Sequence, residues 1–455
     1  MKQKRKTGKR SAAASRAAHA PATKPTAKQA RRGGPGKSGG PSYVRVNKLP
    51  HSTGRTPDVA VIGAGAFGGW TAWHLARRGA RVVLVDAWGA GNPRGTSSGE
   101  ARILRFSYGE KSLYSEWTHR ARELWVSCEK DWGISLFTPC GMLWIWRGEN
   151  EHYRASAAAL DRLHEPWEML EAREAARRFP QVAMDADESA LYEPGSGFLR
   201  AQRATQIVAA QVARLGGDVR VGWAASPEAN QLPEGAHMGA PLRSVRVAHA
   251  GGGATEELRA GAFVFACGPW LPQIFPRLLG RRIAVTKQDV FYFGAPAGDA
   301  RFDAPLMPAW ADYDSEFYGT PGCDVCGFKI ANNQGEAGFD PTTGEREVAP
   351  EALAAARAYL ARRFPAMAGA PLVRTRVCQY ERTPDSHIVL DRHPQWENVW
   401  MAGGGSGHGF KFGPALGEFL AGLVLDGGRE RIPAPLRLGA SVHPETGELR
   451  EKGAY

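Results

Sequence analysis

One unit near the start of the folded body constrains this chain more than any other. Residues 58–63 read DVAVIG, a short β-branched apolar run that suits a fully buried parallel strand. It passes into Gly63-Ala64-Gly65-Ala66-Phe67-Gly68, then into helical periodicity over 70–78, closing at Gly79, a favoured residue just past a helix end. A second apolar run at 81–85 ends in Asp86, 23 residues after Gly63. Strand, GxGxxG, helix, strand, acid is the order of a dinucleotide-binding unit. Gly63 permits the tight turn, Gly65 lets the main chain approach a pyrophosphate, and Gly68 lets the helix pack against the strand. Ala66 and Phe67 stand at the helix N-terminus, where unpaired N–H groups and the positive dipole end favour phosphate. Asp86 is placed to accept hydrogen bonds from ribose hydroxyls.

That fingerprint suits NAD and FAD alike, and the rest of the chain separates them. Residues 89–105, GAGNPRGTSSGEARILR, form a glycine-rich loop ending in Arg102 and Arg105. Far along the chain an apolar run at 399–402 leads into MAGGGSGHGFKF at 401–412 and then a helical pattern over 413–425, with Pro414 near its first turn. A second glycine loop therefore feeds a second helix N-terminus. A flavin needs such a feature, because positive potential near its N1/C2 carbonyl stabilises the anionic reduced ring. The expected cofactor is FAD.

Charge is partitioned sharply. The net charge is +12, yet residues 1–57 carry 15 Lys and Arg with no acid, leaving 43 basic against 46 acidic residues elsewhere. A nucleic-acid role for the body has no support. The tail is poor in apolar residues and is expected to be disordered. Three readings compete for it: an arm for nucleic acid or an anionic surface, an Arg-rich transit peptide, or an extension without function. The absence of any 18-residue apolar run excludes a membrane span. Six Cys are too few for a disulfide scaffold and fit a reducing cytoplasm. Cys323 and Cys326 form a CxxC, but no second pair lies at metal spacing, so no metal is expected.

The chain resembles the FAD-dependent amine- and amino-acid-oxidising family of D-amino-acid oxidase type, and within it the monomeric sarcosine oxidase and N-methyltryptophan oxidase group. The likeness runs from about 58 to 431. It is carried by the nucleotide unit, by RGTSSGEARILRFSYGE, EPGSGFLR and FVFACGPW, and later by CGFKI, RVCQYERTPDSHIVLDRHP and GGSGHGFKFGPALGE.

The resemblance implies roles. Cys378, in Val377-Cys378-Gln379-Tyr380, would carry the flavin through a thioether, with Arg374, Arg376 and Arg382 nearby in sequence to favour a thiolate. Lys329 would stand over the flavin face and assist electron transfer to O2 as a fixed cation. Arg105 and Lys411 would clamp a substrate carboxylate, and Arg102 would lie near the flavin ring. Tyr380, His408, Ser98, Gly407 and Gly409 would line the flavin site. The chain departs from the sarcosine oxidase pattern at Ser97 and Ser98, which replace a histidine pair, at Asn333, which replaces a histidine, and at Thr320, which replaces an aromatic. Sarcosine itself is therefore doubtful, and a bulkier amino acid is at least as suitable.

The expected fold is α/β: a Rossmann-like FAD-binding domain assembled discontinuously from 58–140, 195–275 and 375–432, a mainly antiparallel substrate domain from 141–194 and 276–374, and a C-terminal extension, 433–455. Strands are expected at 142–146, 262–266, 283–294 and within 317–331, and helices at 171–179 and 350–364. The expected activity is oxidation of an N-methyl, cyclic or primary amino acid to an imine with O2 as acceptor and H2O2 as product, by a cytoplasmic monomer. Two alternatives stand beside it: an amino-acid dehydrogenase using another electron acceptor, and a basic-tailed nucleic-acid-associated protein with a vestigial flavin fold.

Overall fold

The structure, a computed structural model, describes residues 56–228, 239–249, 255–324 and 326–439. The basic tail up to residue 55 and the C-terminal extension beyond 439 lie outside the described residues.

Strand β1 (Val59–Ile62) is buried at every position, as its unbroken apolar run requires of a central strand. It pairs in parallel with β2 (Val82–Asp86) on one side and with Ala262–Phe265 on the other. Helix α1 (Ala66–Arg77) connects β1 to β2 and ends before Gly79, whose φ of +85° closes it. The parallel core continues through Asp218–Ala224 beside β2 and Val399–Gly403 beside Ala262–Phe265. Antiparallel strands flank it, completing eight. Here the expected parallel nucleotide sheet is found.

A second eight-stranded sheet runs from Leu372–Arg382 and Ala284–Phe293 through Phe328–Asn332 and Phe317–Thr320 to Ala309–Asp312, Met142–Arg147 and two further strands. All its pairings are antiparallel except Ala309–Asp312 with Met142–Arg147. The α/β expectation holds, with a largely antiparallel second sheet. The segment 317–331, expected to hold one or two strands, forms two. Helices Ala172–Arg178 and Pro350–Arg363 lie where periodicity placed them.

Helix Ser112–Trp132 was not anticipated. Its buried face, Tyr114, Ser115, Thr118, Ala121, Trp125 and Cys128, recurs at three- and four-residue steps but mixes polar with apolar members, which hides the stripe. The last helix, Gly413–Asp426, lies against α1. A Cβ at Gly417 would stand 2.7 Å from the Trp70 main chain and one at Gly413 2.6 Å from the Trp70 ring, so two glycines set this close approach. His74 Nε2 bonds the Pro414 carbonyl across the same contact at 3.0 Å. No helix among the described residues is long and apolar enough to cross a membrane.

Candidate active site

The glycine loop is shaped by contacts that no side chain could share. Gly63 has φ +104°, and a Cβ there would fall 2.2 Å from the Ala266 carbonyl oxygen. At Gly68 it would fall 1.9 Å from the Gly63 oxygen, so α1 seats directly on the strand end. The first turn of α1 contains no acid. Ser97 Oγ accepts from Ala66 N at 2.8 Å, touching the helix N-terminus itself. Its neighbour Ser98, expected to line the flavin site, donates to Gly95 O at 2.6 Å and receives Arg376 Nη2 at 2.6 Å. Asp86 holds Ala64 N at 2.9 Å and Trp88 N at 3.0 Å, tying the end of β2 to the loop.

These groups open onto a cavity of about 330 Å³. Its lining includes Gly63, Gly65, Ala66, Phe67, Asp86, Ser98, Arg102, Tyr380, Gly407 and Gly409. Gly407 has φ +84°, and a Cβ there would stand 2.9 Å from the Tyr380 ring. Gly68 sits beneath the loop, and Cys378, Lys329, Arg105, His408 and Lys411 stand outside the lining. A helix N-terminus free of acid, main chain brought close by glycines, and an acid beyond them at the end of β2 fit the pyrophosphate and ribose of a dinucleotide.

At one end of the cavity, cations and aromatic side chains gather around Arg102. Its Nη2 donates to Cys378 Sγ at 3.3 Å and to Ser98 O at 2.7 Å. The arginines closer to Cys378 in sequence turn elsewhere: Arg374 and Arg376 pair with Glu100 at 2.7 and 3.5 Å, and Arg382 donates to Asn333 O at 2.8 Å. Lys329 comes in from the second sheet, 2% exposed, and its Nζ donates to Ala101 O at 3.0 Å. Arg102 Nη1 donates to that same carbonyl at 3.0 Å, so two cations share one acceptor. Burial, reinforced by Arg102, pulls the Lys329 ammonium down to about 7. Tyr380 bonds Tyr318 hydroxyl to hydroxyl, and Lys329 lies 5.4 Å from the Tyr318 ring centre.

A second cluster surrounds Tyr108. The Arg105 guanidinium lies 3.9 Å from its ring centre and bonds Ser107 O. Lys411 Nζ donates to the Tyr108 hydroxyl at 2.7 Å and to His408 O at 2.9 Å. Arg105 and Lys411 are both almost fully buried. Burial and the charge of Arg105 hold Lys411 well below the ordinary lysine value. Burial and Lys411 likewise depress His408, whose Nε2 bonds Ser386 O at 2.8 Å, so its imidazole is neutral. Glu193, fully buried, accepts from Phe106 N at 2.7 Å, Trp144 Nε1 at 3.1 Å and Ser196 Oγ at 2.6 Å.

Sequence reasoning named these cations but not the residues between them. Tyr108, Tyr318, Glu100 and Glu193 emerge only in the folded chain. Tyr108 and Glu193 stand inside the matched segments FSYGE and EPGSGFLR, which is the signal that marks them.

Comparison with known proteins bears on family and fold. The FAD dependent oxidoreductase family model matches residues 58–423. A monomeric sarcosine oxidase of Streptomyces avermitilis is 32% identical over 378 residues, covering 82% of this chain and 94% of that protein. An N-methyl-L-tryptophan oxidase of Yersinia pestis is 24% identical, covering 84% and 97%. The solved structure of fructosyl amine:oxygen oxidoreductase (Amadoriase I) from Aspergillus fumigatus shares the fold with a TM-score of 0.69 at 21% identity, covering 86% and 91%. The chain belongs to the family of FAD-dependent oxidoreductases. Within it, this is an enzyme of the amine and amino-acid oxidase kind.

Proposed function

We propose that the chain oxidises the Cα–N or N-methyl C–N bond of a small secondary (N-methyl or cyclic) or primary amino acid to an imine, with O2 taking up the two electrons and two protons as H2O2. Water then hydrolyses the imine. Bound FAD supplies the two-electron acceptor for hydride from the carbon beside nitrogen.

The observation that carries this reading is the pairing of Arg105 and Lys411 on Tyr108, from segments 306 residues apart. Two buried cations side by side are costly, and the depressed Lys411 registers that cost. A carboxylate arriving between them relieves it. Arg105 offers two parallel donors and Lys411 a point charge, which fixes the amino acid's orientation. Neutral His408 leaves the positive charge to those two groups. Lys329, which shares the Ala101 carbonyl with Arg102, is the cation for oxygen reduction. Cys378, with the Arg102 guanidinium on its sulfur, is the covalent attachment point for the flavin through a thioether. The enzyme is read as a cytoplasmic monomer whose body engages amino acid and O2 and neither membrane nor nucleic acid.

A panel of N-methyl, cyclic and primary amino acids, each beside its decarboxylated amine, tests the reading by H2O2 release. Amino acids are expected to react and the amines to react poorly. Equal turnover of amines refutes the clamp. Flavin reduction without peroxide points to a dehydrogenase with another acceptor. Flavin colour should stay with the acid-denatured polypeptide and become extractable in Cys378→Ala.

A further inference from the structure

Glu381 has no part in the reading above, yet it lies in the wall of the dinucleotide cavity. It follows Tyr380 on the strand Leu372–Arg382, and its main-chain oxygen receives Ser406 N at 2.9 Å. Its side chain is 6% exposed. Oε1 accepts from Gly405 N at 3.4 Å, whereas Oε2 has no hydrogen-bond partner. A buried carboxyl oxygen left unpaired costs on the order of 1–3 kcal/mol or more, so its persistence calls for a partner that arrives later. Glycines flank it: a Cβ at Gly268 or Gly403 would stand 3.5 Å from Oε2.

Its place along the cavity narrows the partner. Asp86 marks the ribose of the adenosine half, and the loop from Gly63 to Phe67 marks the phosphates. Tyr380, adjacent in sequence, touches Tyr318 and belongs with Arg102 to the opposite end. Asp86, Cys267 and Glu381 all line this one cavity. No cation pairs with Glu381 among the described residues, so a carboxylate here repels phosphate and attracts hydroxyl donors. We propose that Glu381 is a positioning residue for the flavin dinucleotide, accepting a hydrogen bond from a hydroxyl of the ribityl chain between pyrophosphate and flavin ring. The proposal rests on the FAD reading of the cavity.

The test uses the full chain carrying Cys378→Ala, in which flavin is exchangeable, and compares it with the same chain also carrying Glu381→Leu or Glu381→Gln. Stripped protein is titrated with FAD and, separately, with ADP, which has the adenosine and pyrophosphate but no ribityl chain. Tryptophan fluorescence reads binding without any turnover. Glu381→Leu is expected to weaken FAD about tenfold or more and to leave ADP unchanged. Glu381→Gln keeps one acceptor oxygen and is expected to fall between. If Glu381→Leu does not fold by circular dichroism, the isosteric Gln variant alone decides, by weakening FAD and not ADP. Equal weakening of FAD and ADP overturns the ribityl assignment. No change in either makes Glu381 a buried structural acid and overturns it too. Failure of the Cys378→Ala parent to bind FAD at all would instead strike the FAD reading.

Discussion

The dinucleotide cavity and the Tyr108 cluster solve opposite problems with opposite materials. The cavity, about 330 Å³, is lined in part by main chain brought close through glycine. The Tyr108 cluster is built of long charged and aromatic side chains and is closed, with Arg105 and Lys411 nearly free of solvent. Main-chain walls hold their shape before a ligand comes and suit a large, resident cofactor. Side chains held by hydrogen bonds to one another can exchange those bonds for a substrate's, which suits a small molecule that must enter and leave.

If that contrast holds, damage to the cavity should be structural and damage to the cation clusters chemical. The largest effect is expected from Gly68→Ala. Its Cβ would lie 1.9 Å from the Gly63 oxygen, and no flexible atom can yield. Stability should fall by about 4 kcal/mol or more, seen as lost soluble protein and lost flavin absorbance. Lys329→Met should slow reoxidation of reduced flavin by O2 about 100- to 1000-fold, while anaerobic reduction by substrate changes much less. Stopped-flow absorbance separates the two. Equal loss in both would make Lys329 a structural residue and break the contrast.

Glu381 sharpens the comparison from inside the cavity, in cofactor-free protein. Burial raises its carboxyl to about 7 from an ordinary 4.5. A raised folded-state value means that stability is fully present below about pH 4.5 and lost as pH rises through about 7. The loss is on the order of 3 kcal/mol, and thermal unfolding of Glu381→Gln should lack that slope. Next comes Arg105→Met, which should weaken amino-acid binding by about 10- to 150-fold, the value of charge-assisted bonds of about 1.5–3 kcal/mol. Flavin content should be unchanged. Smallest is Tyr108→Phe, which keeps the ring under Arg105 but removes the 2.7 Å bond to Lys411 Nζ. A loss of about 1 kcal/mol in substrate affinity is expected, measured as a rise in KM with kcat nearly constant.

The same contrast explains what could be read before the fold was seen. The cavity was legible because its determinants are local: Gly63, Gly65, Gly68 and Asp86 fall within one βαβ unit, and each spacing has a steric meaning. Arg105, Lys411, Lys329 and Cys378 were reached through family resemblance, since nothing in an isolated lysine at 329 reveals that it shares the Ala101 carbonyl with Arg102. Ser97 and Ser98 were both in view, yet which hydroxyl faces α1 depends on a loop turn that neighbouring serines do not announce. The arginines beside Cys378 in sequence misled for a related reason: on a strand they are drawn to Glu100, an acid 274 and 276 residues away. Helix Ser112–Trp132 escaped because serine and threonine sit on its buried side.

The seating of Gly413 and Gly417 against Trp70 has a consequence for how the molecule is made. The cavity takes its lining from Ile62 to Phe410, and the helix that braces its far loop ends at Asp426. During synthesis the nucleotide unit leaves the ribosome early, with its phosphate loop already spelled out. The wall it needs on the other side is still hundreds of residues from being translated. Cofactor capture is thus an event of the nearly finished chain, and a polypeptide cut short before the final helix is denied its pigment however faithfully its nucleotide unit has folded.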